Sequence, residues 1–174
     1  MSPILDPASF RQAMRRLAGG VAVITVGSGE DRTGLTATSV TSLSAEPPRL
    51  LVCINRSASA WPLLADFRAF GVNLLDADQQ PIADRFAGRN GEKGPARFAG
   101  ARWKSLVTGA PLLDGALAAF DCTVEEIIER HSHAIVIGRI EAVDHGAWNE
   151  PLLYWAGSYR MISDLPDKQF AVAG

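Results

Sequence analysis

Two adjacent prolines, Pro47-Pro48, divide the stretch from Gly34 to Ser59 into two strand-like runs. Proline has no N–H to give to a ladder, so no strand continues through the pair. Gly34 to Leu43 and Arg49 to Ile54 are therefore expected to be separate strands. The first carries Thr36, Ala37, Thr38 and Ser39; the second contains Cys53 and runs into Asn55, Arg56, Ser57 and Ser59. Short hydroxyl and amide residues offer a polar heterocycle many hydrogen-bond partners at small steric cost. An Asn-Arg-Ser-Ala-Ser end also suits a phosphate, because guanidinium and hydroxyl groups match its oxygens. The stretch is the candidate binding segment for a cofactor that needs no Rossmann loop.

The rest of the chain supplies the remaining strands. Asp6-Pro7 predicts a helix start, with Phe10, Met14 and Leu17 on one face and Gly19-Gly20 as the stop. The β-branched run Val21 to Val26 predicts a strand, joined to Gly34–Leu43 as a hairpin by a polar turn over Gly27 to Thr33. Arg49 to Ile54 is apolar on both faces and is expected to be central. Trp61–Phe67 and Gln79–Phe86 read as short helices, and Phe70–Leu75 as a strand. Gly88 to Phe98 reads as a mobile loop, and Ala116 to Arg130 as a long strand. Its alternation breaks near Glu125-Glu126, which predicts a bulge. Ala134 to Val143 returns, Leu152–Trp155 gives a last short strand, and the tail after Leu165 is expected to be loosely held. Six to seven strands without long intervening helices predict a mainly β (α+β) antiparallel barrel rather than a doubly wound sheet. At 174 residues the chain reads as one domain, 1–174.

Several chemistries lose their usual signatures. No GxGxxG follows a strand, and Gly88, Gly91 and Gly94 have no strand leading into them. There is no Walker A sequence and no GxSxG elbow. A net charge of −2 without charge blocks gives no reason to expect nucleic acid or an anionic membrane. No apolar run approaches the roughly 20 residues a spanning helix needs. The opening MSPILDPASF has no basic region followed by an apolar stretch, so no secretory signal is expected. Cys53 and Cys122 lie in apolar strand contexts without CxxC spacing, which predicts a reduced, cytoplasmic protein with inert thiols. His131 and His133 share a strand face, but the sequence provides no convincing further ligands, so no metal site is expected. Tyr154, Trp155 and Tyr159 form an aromatic group that reads as packing at the edge of the core.

A series of short matches runs in order through the chain: Phe10-Arg11-Gln12-Ala13-Met14, Gly20 to Thr25, Gly34 to Ser39, Ser42-Leu43-Ser44, Pro47-Pro48, and Cys53-Ile54-Asn55-Arg56 with Ser57 and Ser59. It continues with Phe70 to Leu75, Gln79, Ala83, Arg85-Phe86, Gly109-Ala110-Pro111, Cys122, His133, Ile137-Gly138-Arg139 and Pro151 to Tyr154. With these, the chain resembles the short-chain flavin reductase family, FMN-binding split barrels that serve as reductase components of two-component monooxygenases. The resemblance covers about residues 8–160 and implies a six-stranded antiparallel Greek-key split barrel with short flanking helices, forming a homodimer. It implies FMN or FAD as the flavin, NADH or NADPH as electron donor, and hand-over of reduced flavin to a monooxygenase. Some similar proteins keep FMN bound and reduce a corrinoid such as cob(II)yrinate. A non-catalytic flavin- or haem-binding module of the same barrel is the alternative of a different class.

By the same resemblance, Thr36 to Ser39 would line the flavin ring. Cys53, Asn55, Arg56, Ser57 and Ser59 would follow the ribityl-phosphate path. Arg85, Phe86 and Arg89 would close over the flavin, and catalytic His133 would stand with Tyr154 on the nicotinamide side. The family often has Gly-Asp before that histidine; this chain has His131-Ser132.

Overall fold

The computed structural model describes residues 5–162, so the tail after Leu165 lies outside the described residues. The elements are α1 (Pro7–Met14), β1 (Gly19–Gly20), β2 (Ala22–Ser28), β3 (Asp31–Ala37), β4 (Thr41–Ser44), β5 (Arg49–Asn55), α2 (Trp61–Phe67), β6 (Ala69–Leu74) and α3 (Gln80–Phe86). There follow β7 (Trp103–Lys104), β8 (Leu112–Leu113), β9 (Ala118–Arg130), β10 (His133–His145), β11 (Leu153–Trp155) and β12 (Ser158–Arg160). Asp6 caps α1 as its sequence predicts: its carboxylate accepts from the N–H groups of Ala8 and Ser9, both at 3.1 Å. Among the described residues no helix is long and apolar enough to cross a membrane.

Seven strands form one antiparallel sheet in the order β3-β2-β6-β9-β10-β5-β4. Its two edge strands, β3 and β4, are consecutive in the chain and are separated by only Thr38 to Val40. The sheet is thus closed by its own backbone. Counting β3 and β4 as one bent strand leaves six, and β6-β2-β3/β4-β5 has the 4-1-2-3 order of a Greek key. The predicted strand Gly34–Leu43 is therefore two strands around a corner. Ser39 makes that corner: its hydroxyl donates to the Cys53 carbonyl at 2.9 Å and accepts from the Cys53 N–H at 3.2 Å. A side chain here takes over backbone pairing. Arg49 to Ile54 sits inside the sheet, between β10 and the short edge β4.

The predicted turn Gly27–Thr33 contracts to Gly29-Glu30, because β2 and β3 stay paired out to Ser28 and Asp31. Arg32 is polar but belongs to the strand, its guanidinium lying 4.6 Å from the centroid of the Phe98 ring. The β9–β10 hairpin turns on His131-Ser132, with Arg130 opposite His133 and His131 at φ +50. His131 thus holds the left-handed conformation that glycine adopts freely. The expected bulge is at Glu125, which has no partner between Glu126↔Ile137 and Val124↔Gly138. It re-aims Glu125 into an ion pair with Arg49.

The core has two parts. Ile24, Val26, Val52, Ile54, Phe70, Val72, Cys122 and Val136 fill the barrel. Val23, Leu75, Ala83, Phe86, Phe98, Leu112, Leu113, Ala119 and Leu152 pack outside it. β2 is apolar on both faces because it belongs to both. Phe98 also anchors the segment from Gly88, which is expected as a mobile loop but contains a 3₁₀ turn over Gly94–Phe98. Arg97 pins it further, donating to the carbonyls of Glu92, Gly34 and Phe86. β1, β11 and β12 make a small separate sheet.

Candidate functional site

α3 ends in a way that builds a wall. Gly88, at φ +76, follows the C-cap Ala87. Its N–H donates to the Arg85 carbonyl and the Arg89 N–H to the Asp84 carbonyl, both at 3.1 Å. This is the paired bonding of a Schellman motif, which needs a left-handed residue at the glycine position. The motif returns Arg89 alongside Asp84, and their side chains pair at 2.7 Å. The Arg89 guanidinium then lies over the Tyr159 ring, 5.0 Å from its centroid. Tyr159 and Tyr154 are directly opposed on β12 and β11, so their rings share a face and meet edge-on at 5.4 Å. Burial raises the Tyr159 phenol above its usual pKa, and the Arg89 charge opposes that shift.

Val21, Thr36, Ala37, Thr38, Ala87, Arg89, Tyr154 and Tyr159 surround a cleft of about 220 Å3 outside the barrel. The Thr36 hydroxyl is already committed to the Ala83 carbonyl at 2.6 Å, which ties α3 to β3. From Thr38 the chain passes through Ser39, bonded to Cys53, and β5 then reaches Asn55 about 7 Å farther on. There the Asn55 carboxamide accepts from both the N–H and the hydroxyl of Ser57 at 2.9 Å, forming an Asx turn. The Arg56 N–H donates to the Ser132 carbonyl at 2.9 Å, and its guanidinium meets the His131 carbonyl and Glu129. His133 pairs across with Asn55, and its Nδ1 lies 2.9 Å from the Ser132 hydroxyl. Ser59 is exposed just beyond, before α2.

Bonded and paired neighbours therefore link Thr38, Ser39, Cys53, Asn55 and Ser57, with Arg56 and His133 at the far end and Arg89 and Tyr154 at the near end, while Ser39, Cys53, Asn55 and Ser57 lie outside the cleft itself. Two expected residues stand apart. The Phe86 ring is buried against Phe98 and Trp103, at 5.0 and 5.5 Å, and supports α3 from beneath. Arg85 points toward Glu92, 3.7 Å away, and Gly100. Tyr159 lines the cleft although its sequence suggests only edge packing. Asp84 and Gly88 carried no signal beyond their place at a helix end. Cys122 is buried in the barrel, and burial pushes its thiol up to about 12. Among the described residues no group of three or more His, Cys, Asp or Glu side chains is arranged to hold a metal ion.

The donor set suits a flavin: small side chains beside the cleft, hydroxyl and amide groups along the path, and an arginine at each end. A larger groove of about 740 Å3 runs along β4, β5 and β10 and is lined mainly by apolar residues, with Arg49 and Glu141 among them.

Comparison with known proteins gives the family. Residues 14–163 match the family model described as "Flavin reductase like domain". FMN reductase (NADH) RutF of Escherichia coli O45:K1 is 38% identical over 159 residues, spanning 91% of this chain and 96% of that protein. Among solved structures, BorF, the flavin reductase component of a bacterial two-component tryptophan halogenase, has 36% identity and a TM-score of 0.83 over 94% of this chain and 100% of that one. The NADH:FAD oxidoreductase SgcE6 of Streptomyces globisporus C-1027, in complex with NAD and FAD fragments, has 29% identity and a TM-score of 0.83 over 95% and 99% of the two chains.

Proposed function

This chain belongs to the flavin reductase like domain family, and we propose that it is an NAD(P)H:flavin oxidoreductase supplying reduced flavin to a partner enzyme. The observation that carries the reading is the path from the Arg89–Tyr154 cleft through Ser39 and Cys53 to Asn55 and His133. The flavin supplies the hydride-accepting chemistry. The protein's part is to bind and orient two planar rings at reactive distance, which calls for no acid–base dyad.

In this reading Thr36, Ala37 and Thr38 border the flavin ring, where the Ala37 side chain is small and the Thr36 hydroxyl holds α3 in register. Ser39 and Cys53 flank the ribityl chain. Asn55, Arg56, Ser57 and Ser59 face its phosphate. Arg89 and Tyr154 border the ring from α3 and β11. Phe86 and Arg85 act through α3 instead of touching the ligand. His133, opposite Asn55, stands at the phosphate end of the path with the Ser132 hydroxyl beside its Nδ1, and the nicotinamide side of the ring is left to Tyr154. NADH is the favoured donor, as in the name of the Escherichia coli relative. The test is NADH oxidation by the purified protein with and without added FMN. Strong acceleration by FMN is expected; the same slow rate in both would refute the assignment.

Homodimerisation is part of the proposal. Phe10 and Met14 on α1 and Leu17 just after it are 53%, 47% and 67% exposed, and the apolar groove along β4, β5 and β10 is open. Apolar surface of this extent favours a second copy. Sedimentation should give twice the chain mass; a monomer at micromolar concentration would contradict it. Two free cysteines fit a reducing compartment such as the cytoplasm, and the whole of 1–174 is read as one domain.

A further inference from the structure

Arg89 has more partners than a simple anion-binding arginine would keep. Its charge is matched by the Asp84 carboxylate at 2.7 Å, and its guanidinium carbon lies over the Tyr159 ring, 5.0 Å from the centroid. The Schellman turn at Gly88 fixes its backbone beside Asp84. Tyr159 is itself held by the edge of Tyr154 at 5.4 Å. The guanidinium is left as a flat, charge-compensated surface on the wall of the cleft that also contains Thr36, Ala37 and Thr38.

We propose that Asp84 and Tyr159 are positioning residues that hold Arg89 as a stacking face for the planar ring of the flavin, so that Arg89 reads the ring and not the phosphate. The inference rests on the reading above that this cleft takes the flavin ring. A guanidinium is planar and weakly hydrated, and it stacks where an ammonium does not. Pairing with Asp84 removes the long-range attraction that would otherwise favour phosphorylated ligands. The phosphate is left to Arg56 and the Asn55–Ser57 turn, at the other end of the path.

The test is binding of riboflavin and of FMN, followed by flavin fluorescence without NADH, at low and high salt. Riboflavin has the ring and lacks the phosphate. Arg89→Ala should weaken both ligands by the same factor, about threefold to tenfold for a stacking contact at a half-exposed site. Arg89→Lys should fail to restore it. Tyr159→Leu should weaken both flavins as Arg89→Ala does, whereas Tyr159→Phe, which keeps the ring, should bind normally. Asp84→Asn should release the charge, so that FMN gains over riboflavin and its binding becomes salt-dependent. A loss confined to FMN, or recovery with Lys, would make Arg89 an anion contact and overturn the inference. Unchanged affinity for both flavins in Arg89→Ala would overturn it as well. Turnover is read separately: if the variant pattern holds but NADH is not oxidised, the assigned activity fails and the stacking role stands.

Discussion

Cys122 and Gly138 occupy one layer of the barrel, and each is what the layer permits. An added Cβ on Gly138 would come within 2.5 Å of the Phe70 ring and 3.2 Å of the Cys122 Cβ, so this position on β10 takes no side chain. Cys122 fills the remaining space as a small apolar group, with its thiol held protonated by burial up to about 12 against an ordinary 9.0. The folded thiol keeps its proton where the unfolded one releases it, so the unfolded state binds fewer protons between those values. Stability contributed by the protonated thiol is complete below about pH 9 and is lost as pH rises toward 12, at about 1.4 kcal/mol per unit. Urea unfolding of the wild type should show that alkaline slope, and Cys122→Ala should show a shallower one, keeping the part due to the raised Tyr159 and Lys104; an identical slope in the variant would refute the burial argument. Inertness of this thiol was legible in the sequence, because a lone cysteine in an apolar strand is usually core. The buried fate of Phe86 was not. A phenylalanine on a short amphipathic helix reads the same whether its partner is a ligand or Phe98.

The start of α1 carried a clear signal, and helix stops and strand corners did not: α1 ends at Met14, and the Gly19-Gly20 expected to stop it forms β1 opposite Tyr154 and Leu153. Asp6-Pro7 opens α1 where its chemistry says it should, and the broken alternation at Glu125 marks the bulge. Gly88 reads only as one glycine in a loose series, yet it is the left-handed residue that closes α3 and returns Arg89 over the cleft. Gly88→Ala should cost about 1 kcal/mol of stability, the price of a left-handed non-glycine residue. It should also weaken flavin binding through Arg89. Thermal unfolding together with flavin titration checks both, and a variant with lowered stability but wild-type affinity would separate the motif from the site. The corner at Thr38–Val40 escaped the sequence because Ser39 replaces ladder bonds with its hydroxyl, and local composition does not reveal that exchange. β7 and β8 are two residues each, too short for any periodicity.

For the whole molecule, the chain closes its own barrel through that corner and thereby places the two polar-ended strands of the Pro47-Pro48 stretch side by side. The residues lining the smaller cleft gather between the end of α3 and the small β1-β11-β12 sheet. The barrel and most of its strands were legible as alternating and doubly apolar runs. The cleft was legible only in part, because its walls come from residues more than fifty positions apart, Thr36 to Thr38, Arg89 and Tyr154 with Tyr159. The central claim is that this surface brings a reduced nicotinamide and a flavin together. It is tested most directly by mixing the purified protein with FMN and NADH without oxygen and following the flavin's visible absorbance. Rapid, protein-dependent bleaching matched by consumption of NADH is the predicted result; a spectrum that stays oxidised, or that bleaches no faster than without protein, would contradict it.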